Sequence, residues 1–349
     1  MLRIRTLLLA DGPDAAMEYL SQAVSSNPDD ATLRLAYART LADTQRYEDA
    51  LAQYRVLAEQ LDSDSEILLA MGMIHLQLGQ IDEAEVLLRQ VQAAGGNETD
   101  LQFYLGWIAE ERGDIDQAIA YYASIGPEST NQFEGRLRIA ILTAGNGDIG
   151  GARRQLQTLR ADEPGQQRRL YQVESELLLQ ANLLVESMTV LDVALERFPG
   201  DFDLLYSRAL LADRMGRIDL TEQDLRRILA AEPDHVDALN ALGYTLADRT
   251  DRYREAYGYI RRALELHPDN HAILDSMGWV LYRLGNHEES IHYLRRSLAL
   301  RDDHEVAAHL GEVLWVSGER EEAMLVWQRA LEAFPDDELL RATMQRFVR

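Results

Sequence analysis

The sequence predicts an all-α solenoid: about ten stacked helix pairs closed by a C-terminal capping helix. Three residue types keep one period. Six of the eight prolines (Pro28, Pro164, Pro199, Pro233, Pro268 and Pro335) fall on one phase of a 34-residue ruler. Gly79, Gly113, Gly147, Gly216, Gly285 and Gly318 hold a second phase. Gly72, Gly106, Gly243, Gly278 and Gly311 hold a third, seven residues earlier where both occur. Ala16, Ala50, Ala84, Ala118 and Ala152 are each 34 residues apart, and Ala256 and Ala323 continue them. A period of this length marks a supersecondary unit that buries its apolar face only against its neighbours.

One unit shows the local logic. In residues 304–337, Ala307, Leu310, Gly311 and Leu314 repeat at i, i+3, i+4 and i+7, one face of a helix. Gly318 suits a left-handed cap at the end of that helix. A second helical stripe runs through Ala323, Val326, Trp327, Ala330 and Leu331. Pro335 ends it, because proline lacks the amide hydrogen and restricts the residue before it. Small residues at Gly311 and Ala323 let the two helices approach closely.

This helix–turn–helix–break unit resembles the tetratricopeptide repeat (TPR), with its small residue in the first helix, Ala in the second and Pro at the end. The resemblance covers essentially the whole chain and implies a right-handed superhelical solenoid. Residues 1–30 form a partial unit with a shortened first helix, since Ala16, Leu20, Ala23 and Pro28 are in phase. Nine units follow at 31–64, 65–98, 99–132, 133–167, 168–201, 202–235, 236–270, 271–303 and 304–337. Units 133–167 and 168–201 carry Ala140 and Ser175 where others have Gly, and unit 271–303 has Asp302 in place of the terminal Pro. Residues 338–349 predict a capping helix with Arg341, Arg346 and Arg349 on its polar face. The 33- and 35-residue units are expected to absorb their length changes in turns.

Composition removes several chemistries. The chain has 349 residues and no Cys, which excludes disulfides, Cys-ligated zinc, iron–sulfur clusters and a Cys nucleophile. Asp and Glu outnumber Lys and Arg 59 to 35, a formal net charge of −24. That balance argues against an extended nucleic-acid or anionic-lipid surface and favours partners with basic patches. Gly145-Asn-Gly147-Asp-Ile-Gly150 matches the dinucleotide-binding GxGxxG pattern, but Gly147 stands in the turn phase, so an interhelical turn is expected. His304-Glu305 with His309, and His287-Glu288 with His292, are HExxxH rather than the zincin HExxH. The extra residue turns the second imidazole by about 100° around the helix, which leaves surface or groove histidines. No catalytic, cofactor or metal-binding residue is assigned. Arg3 and Arg5 precede Leu7-Leu8-Leu9, a run too short for a signal peptide, and no stretch reaches the 18 apolar residues of a membrane span.

Function is expected on the groove face of the first helices. By resemblance to TPR geometry, positions 2, 5, 6, 9, 12 and 13 of each unit face it. These positions gather Phe103, Tyr104, Trp107, Tyr206, Asn240, Tyr244, Asp275, Trp279, Tyr282, Arg283, His309, Glu312 and Trp315 as a protein-binding groove. Aromatic residues are 7% of the chain, yet three of its four tryptophans fall here; Trp327 is assigned to the second-helix core. Tyr and Trp are efficient anchors for a bound peptide.

The blocks Ala238–Arg249, Asp275–Asn286 and His309–Trp315 resemble the TPR lipoproteins of Gram-negative bacteria. That resemblance implies a periplasm-facing adaptor, anchored at the outer membrane. It would recruit a serine-type carboxyl-terminal processing protease to degrade cell-wall hydrolases. The lipidation Cys and signal sequence of that family are missing here, with Asp11 where Cys would stand, so the chain reads as a fragment of a longer protein. Competing expectations are a TPR chaperone or assembly factor for secretion or envelope biogenesis, a lipopolysaccharide-assembly regulator and a TPR-bearing metalloprotease. The regulator typically carries a Cys metal module, and the metalloprotease needs HExxH; both are absent.

Overall fold

The computed structural model describes residues 12–61, 64–95 and 100–348. The shortened first helix expected before Gly12, and Arg349 of the capping helix, lie outside the described residues. Among the described residues there are twenty α-helices, one 3-10 turn at Pro164–Gln166 and no strand.

The chain divides into two compact units, Met1–Pro164 and Gly165–Arg349. The N-terminal unit contains α1 (Gly12–Ser26), α2 (Ala31–Asp43), α3 (Tyr47–Gln60), α4 (Ser65–Gln77), α5 (Ile81–Ala93), α6 (Leu101–Glu111), α7 (Ile115–Ala123), α8 (Gln132–Gly145) and α9 (Ile149–Asp162). The C-terminal unit begins with α10 (Gln167–Gln180), α11 (Leu184–Arg197), α12 (Phe202–Arg214), α13 (Ile218–Ala231), α14 (Val236–Arg249) and α15 (Tyr253–Leu266). It continues with α16 (His271–Arg283), α17 (His287–Leu300), α18 (His304–Ser317), α19 (Arg320–Ala333) and α20 (Glu338–Phe347). Each unit is a solenoid of helix pairs, the all-α architecture that the period predicts. In the C-terminal unit the first helices also pack on one another, α12 on α14, α14 on α16, α16 on α18 and α18 on α20.

Turn and cap chemistry set the element ends. Gly318 takes the left-handed conformation at φ 94° and caps α18. Where the repeat lacks glycine, Gln45 and Asn182 adopt the same hand at φ 60° and 58°. Of the two 35-residue units, 236–270 takes its extra residue in the first helix and not in a turn as expected: α14 has 14 residues against 13 in α12 and α16. Its end residue Thr250 is extended, and the hydroxyl donates to the Leu246 carbonyl at 2.6 Å while accepting from the Arg252 amide at 3.1 Å. The 33-residue unit is short at its exit instead, where residues 301–303 connect α17 to α18. Several first helices, and the capping helix, start on side-chain caps that occupy orphan amides: Asp30, Asp64, Asp201, Asn270, Asp303 and Asp337 each accept from an amide in the first turn, whereas α6, α8 and α10 start without one.

The small residues permit close helix contact. A Cβ on Gly311 would stand 2.0 Å from Trp327 Nε1, and Trp327 is fully buried. Three units place a hydroxyl at the second-helix alanine phase. Ser187, Thr221 and Ser290 donate to the carbonyls of Ser175, Ala209 and Gly278, the small position of the paired first helix, at 2.9, 3.2 and 2.7 Å. A polar group there is tolerated because it finds a partner without moving either helix.

Candidate functional site

The GxGxxG match at 145–150 resolves into an interhelical turn. Gly145 ends α8, Gly147 is left-handed at φ 89°, and Asp148 caps α9 by accepting from the Gly151 amide at 2.7 Å. The HExxxH histidines serve separate neighbours: His304 Nδ1 lies 2.9 Å from Asp337, whereas His309 Nδ1 lies 2.9 Å from Asp275.

Six of the thirteen expected groove residues, Tyr244, Asp275, Trp279, Tyr282, His309 and Glu312, collect on the first-helix face of the C-terminal unit. Helices α14, α16, α18 and α20 line a groove of about 380 Å³ that includes Tyr244, Trp279, His309, Glu312 and Arg346. Successive first helices repeat the same register, so residues 34–35 apart meet side by side. His309 stacks on Trp279, centroids 4.2 Å apart and planes 23° apart. Asp275 holds its Nδ1 from the next helix, and both side chains are buried. Above this pair the Tyr244 hydroxyl donates to Glu305 at 2.8 Å, linking α14 to α18 past the intervening α16. The Trp279 indole donates to Asp248 at 3.3 Å. Tyr282 donates to Glu312 at 3.2 Å, and Arg346 of the capping helix pairs with the other oxygen of Glu312.

The electrostatics follow from this packing. Burial alone lowers the His309 pKa, but Asp275, with Glu305 and Glu312 beyond it, outweighs burial and raises it. Burial followed by Glu305 raises the Tyr244 phenol above its usual range. The same kind of pairing, burial and then Glu312, pushes Tyr282 up to about 12. These hydroxyls are held as donors to carboxylates, and the wall is built of donor–acceptor pairs already satisfied within the chain.

Other expected residues lie apart from this cluster. Arg283 stacks over the Tyr253 ring at 4.7 Å and donates to its hydroxyl at 2.6 Å. Trp315 packs toward Trp327 and Phe347, at 5.9 and 6.4 Å, in the apolar core under the capping helix. Tyr206 stacks on His235, and Asn240 is half-buried with a buried Oδ1 that has no hydrogen-bond partner.

Phe103, Tyr104 and Trp107 belong to the N-terminal unit. They join Met73, Ile74, Tyr54 and Asp43 around a separate groove of about 630 Å³ between α2, α4 and α6. Phe103 meets Tyr104 edge-on and tilts against Tyr122. The Tyr122 hydroxyl donates to Glu110 at 2.8 Å, and Arg138 pairs with the same carboxylate.

The sequence reading missed Asp248, Glu305 and Arg346 in one groove and Asp43 and Met73 in the other. The register contained a signal for several of them: Met73 is 34 residues before Trp107, and Glu305 and Asp248 stand at groove positions 2 and 13.

Sequence models of the tetratricopeptide repeat match residues 7–74 and, for a second model, residues 69–129, 206–271 and 276–338. A curated TPR repeat-containing protein of Pseudomonas aeruginosa is 38% identical over 210 residues, 60% of this chain. The chain spans about a third of that relative's length, 35%. Among solved structures, a tetratricopeptide repeat protein of Parabacteroides merdae superposes with a TM-score of 0.57 at 13% identity, covering 72% of this chain and 99% of the other. PilW, a type IV pilus biogenesis factor, gives 0.51 at 14% identity, covering 62% and 100%. Both show likeness of fold.

Proposed function

Because the chain belongs to the tetratricopeptide repeat family, whose members bind protein partners, we propose that it is a non-enzymatic scaffold working through its first-helix grooves. The observation that carries this is the gathering of aromatic and charged side chains on those faces in a chain poor in aromatics. We further infer a role as an adaptor at the outer membrane on its periplasmic side. There it recruits or activates a serine-type carboxyl-terminal processing protease for degradation of cell-wall hydrolases. What supports this is the resemblance of the blocks Ala238–Arg249, Asp275–Asn286 and His309–Trp315 to Gram-negative TPR lipoproteins, blocks that fall on the groove-lining helices α14, α16 and α18.

The test is affinity recovery of the full-length protein from its native host under gentle solubilisation. Enrichment of a carboxyl-terminal processing protease, with increased cleavage of a cell-wall hydrolase when purified components are mixed, supports the adaptor. A partner set confined to cytoplasmic proteins, or unchanged proteolysis on mixing, overturns it.

A further inference from the structure

The two grooves differ in what their side chains still have to offer. In the C-terminal groove the polar ends of Tyr244, Trp279 and Tyr282 are each spent on a carboxylate of the same unit. In the N-terminal groove the Trp107 indole N–H and the Tyr104 hydroxyl have no hydrogen-bond partner among the described residues. Met73, in the same wall, is 38% exposed, an apolar side chain facing solvent beside three half-buried aromatics.

The charges around the N-terminal groove are equally one-sided. No Arg or Lys is among its lining residues, and Arg39, which neighbours Tyr54 of its wall, is committed to Glu66. Asp43 lines the groove and is exposed; Glu111 lies one turn beyond Trp107 on α6 and is also exposed. Neither makes an ion pair among the described residues. The free valences are therefore an apolar aromatic floor, two hydrogen-bonding groups and two carboxylates.

We propose that the groove between α2, α4 and α6 is the docking site for a partner segment with a bulky apolar side chain flanked by Lys or Arg. This rests on the scaffold reading above and specifies its site and ligand chemistry. The apolar side chain covers Met73 and Trp107, and the flanking cations meet Asp43 and Glu111. Desolvated aromatic anchors ringed by complementary charge are the usual source of interface affinity, with the charges setting specificity and on-rate.

The experiment uses the full chain and three fluorescein-labelled twelve-residue peptides read by anisotropy. One carries central Leu residues flanked by Lys and Arg, the second has the basic residues replaced by Glu, and the third has the Leu residues replaced by Ser. The first should bind at least about tenfold tighter than the other two. Trp107→Ala should weaken it by about thirtyfold. Asp43→Asn with Glu111→Gln should weaken it severalfold and flatten its salt dependence. Leu325→Ser, an exposed position on the second helix α19 and outside both grooves, should leave it unchanged. Trp107→Phe keeps an aromatic ring, so it guards against misfolding of the alanine variant and should lose only a few-fold. Equal binding of the basic and acidic peptides overturns the proposal, as does basic-peptide binding that ignores Trp107. Self-association abolished by Trp107→Ala overturns it too, by giving the groove to a second copy. If protein partners are still recovered from the host by the Trp107→Ala chain at wild-type yield, the site fails while the scaffold reading stands.

Discussion

His309 is a titratable group placed inside a wall rather than on a surface. Its ring is covered by Trp279, its Nδ1 faces Asp275 on α16, Tyr244 approaches from α14, and Glu305 and Glu312 flank it on its own helix. The folded-state pKa is raised above the ordinary 6.5. A histidine with a raised folded pKa stabilises the fold fully below its unfolded value, and that contribution is lost as pH rises through the folded value. Urea unfolding of the wild type and His309→Gln should therefore differ most in the acidic range just below the unfolded value. The gap should narrow as pH rises through the folded value. A gap that widens with pH would show that His309 is held neutral. Asp275→Asn should remove most of the pH dependence, since the imidazolium then loses the carboxylate nearest to it.

At the scale of the helix pair, Gly311 and Trp327 decide whether α18 and α19 close. A methyl on Gly311 would meet three indole atoms within 2.6 Å. Gly311→Ala should cost about 1–3 kcal/mol by overpacking, read from the urea midpoint. Combined with Trp327→Leu it should cost less than the sum of the two single changes, because the smaller side chain vacates the space. At the opposite end of the chain, Gln45 occupies the left-handed turn that glycine fills elsewhere. That conformation costs a β-carbon-bearing residue about 1–2 kcal/mol, partly offset by glycine's greater unfolded-state freedom. Gln45→Gly should therefore raise stability, by about 1 kcal/mol at most. These two cases also show why the fold was legible: a close approach and a left-handed turn each restrict the residue allowed, so they leave a periodic letter. The hydroxyl bonds of Ser187, Thr221 and Ser290 broke the alanine phase without changing the geometry, and so read as noise. Tyr244 with Glu305 was illegible for another reason, since it joins helices two steps apart and no unit-by-unit reading relates those positions. The grooves were visible as enriched aromatics, but which aromatics were already hydrogen-bonded was not, because that depends on neighbours such as Asp248 and Arg346 in other units.

For the whole molecule, stacking sets how far damage travels. Within each compact unit a helix pair touches mainly the pairs beside it, so stability sums over pairs and their immediate interfaces. Trp327 is the largest fully buried side chain and sits near the C-terminal end of its unit, against Trp315, Phe347 and Leu340. Trp327→Ala should remove about 3–5 kcal/mol locally. In a globular domain with one core that loss would lower protection everywhere, since opening is then global. In a stacked array it should appear as a gradient. Amide exchange should accelerate most in α18, α19 and α20, less in α16 and α17, and not measurably in α2 to α5. Hydrogen exchange followed by mass spectrometry resolves segments of this length. The N-terminal groove should therefore keep its peptide affinity in the Trp327→Ala chain even as the capping helix frays. A uniform rise in exchange across α2 to α20 would mean that the chain unfolds as one cooperative body, and nearest-neighbour energetics would then not describe it.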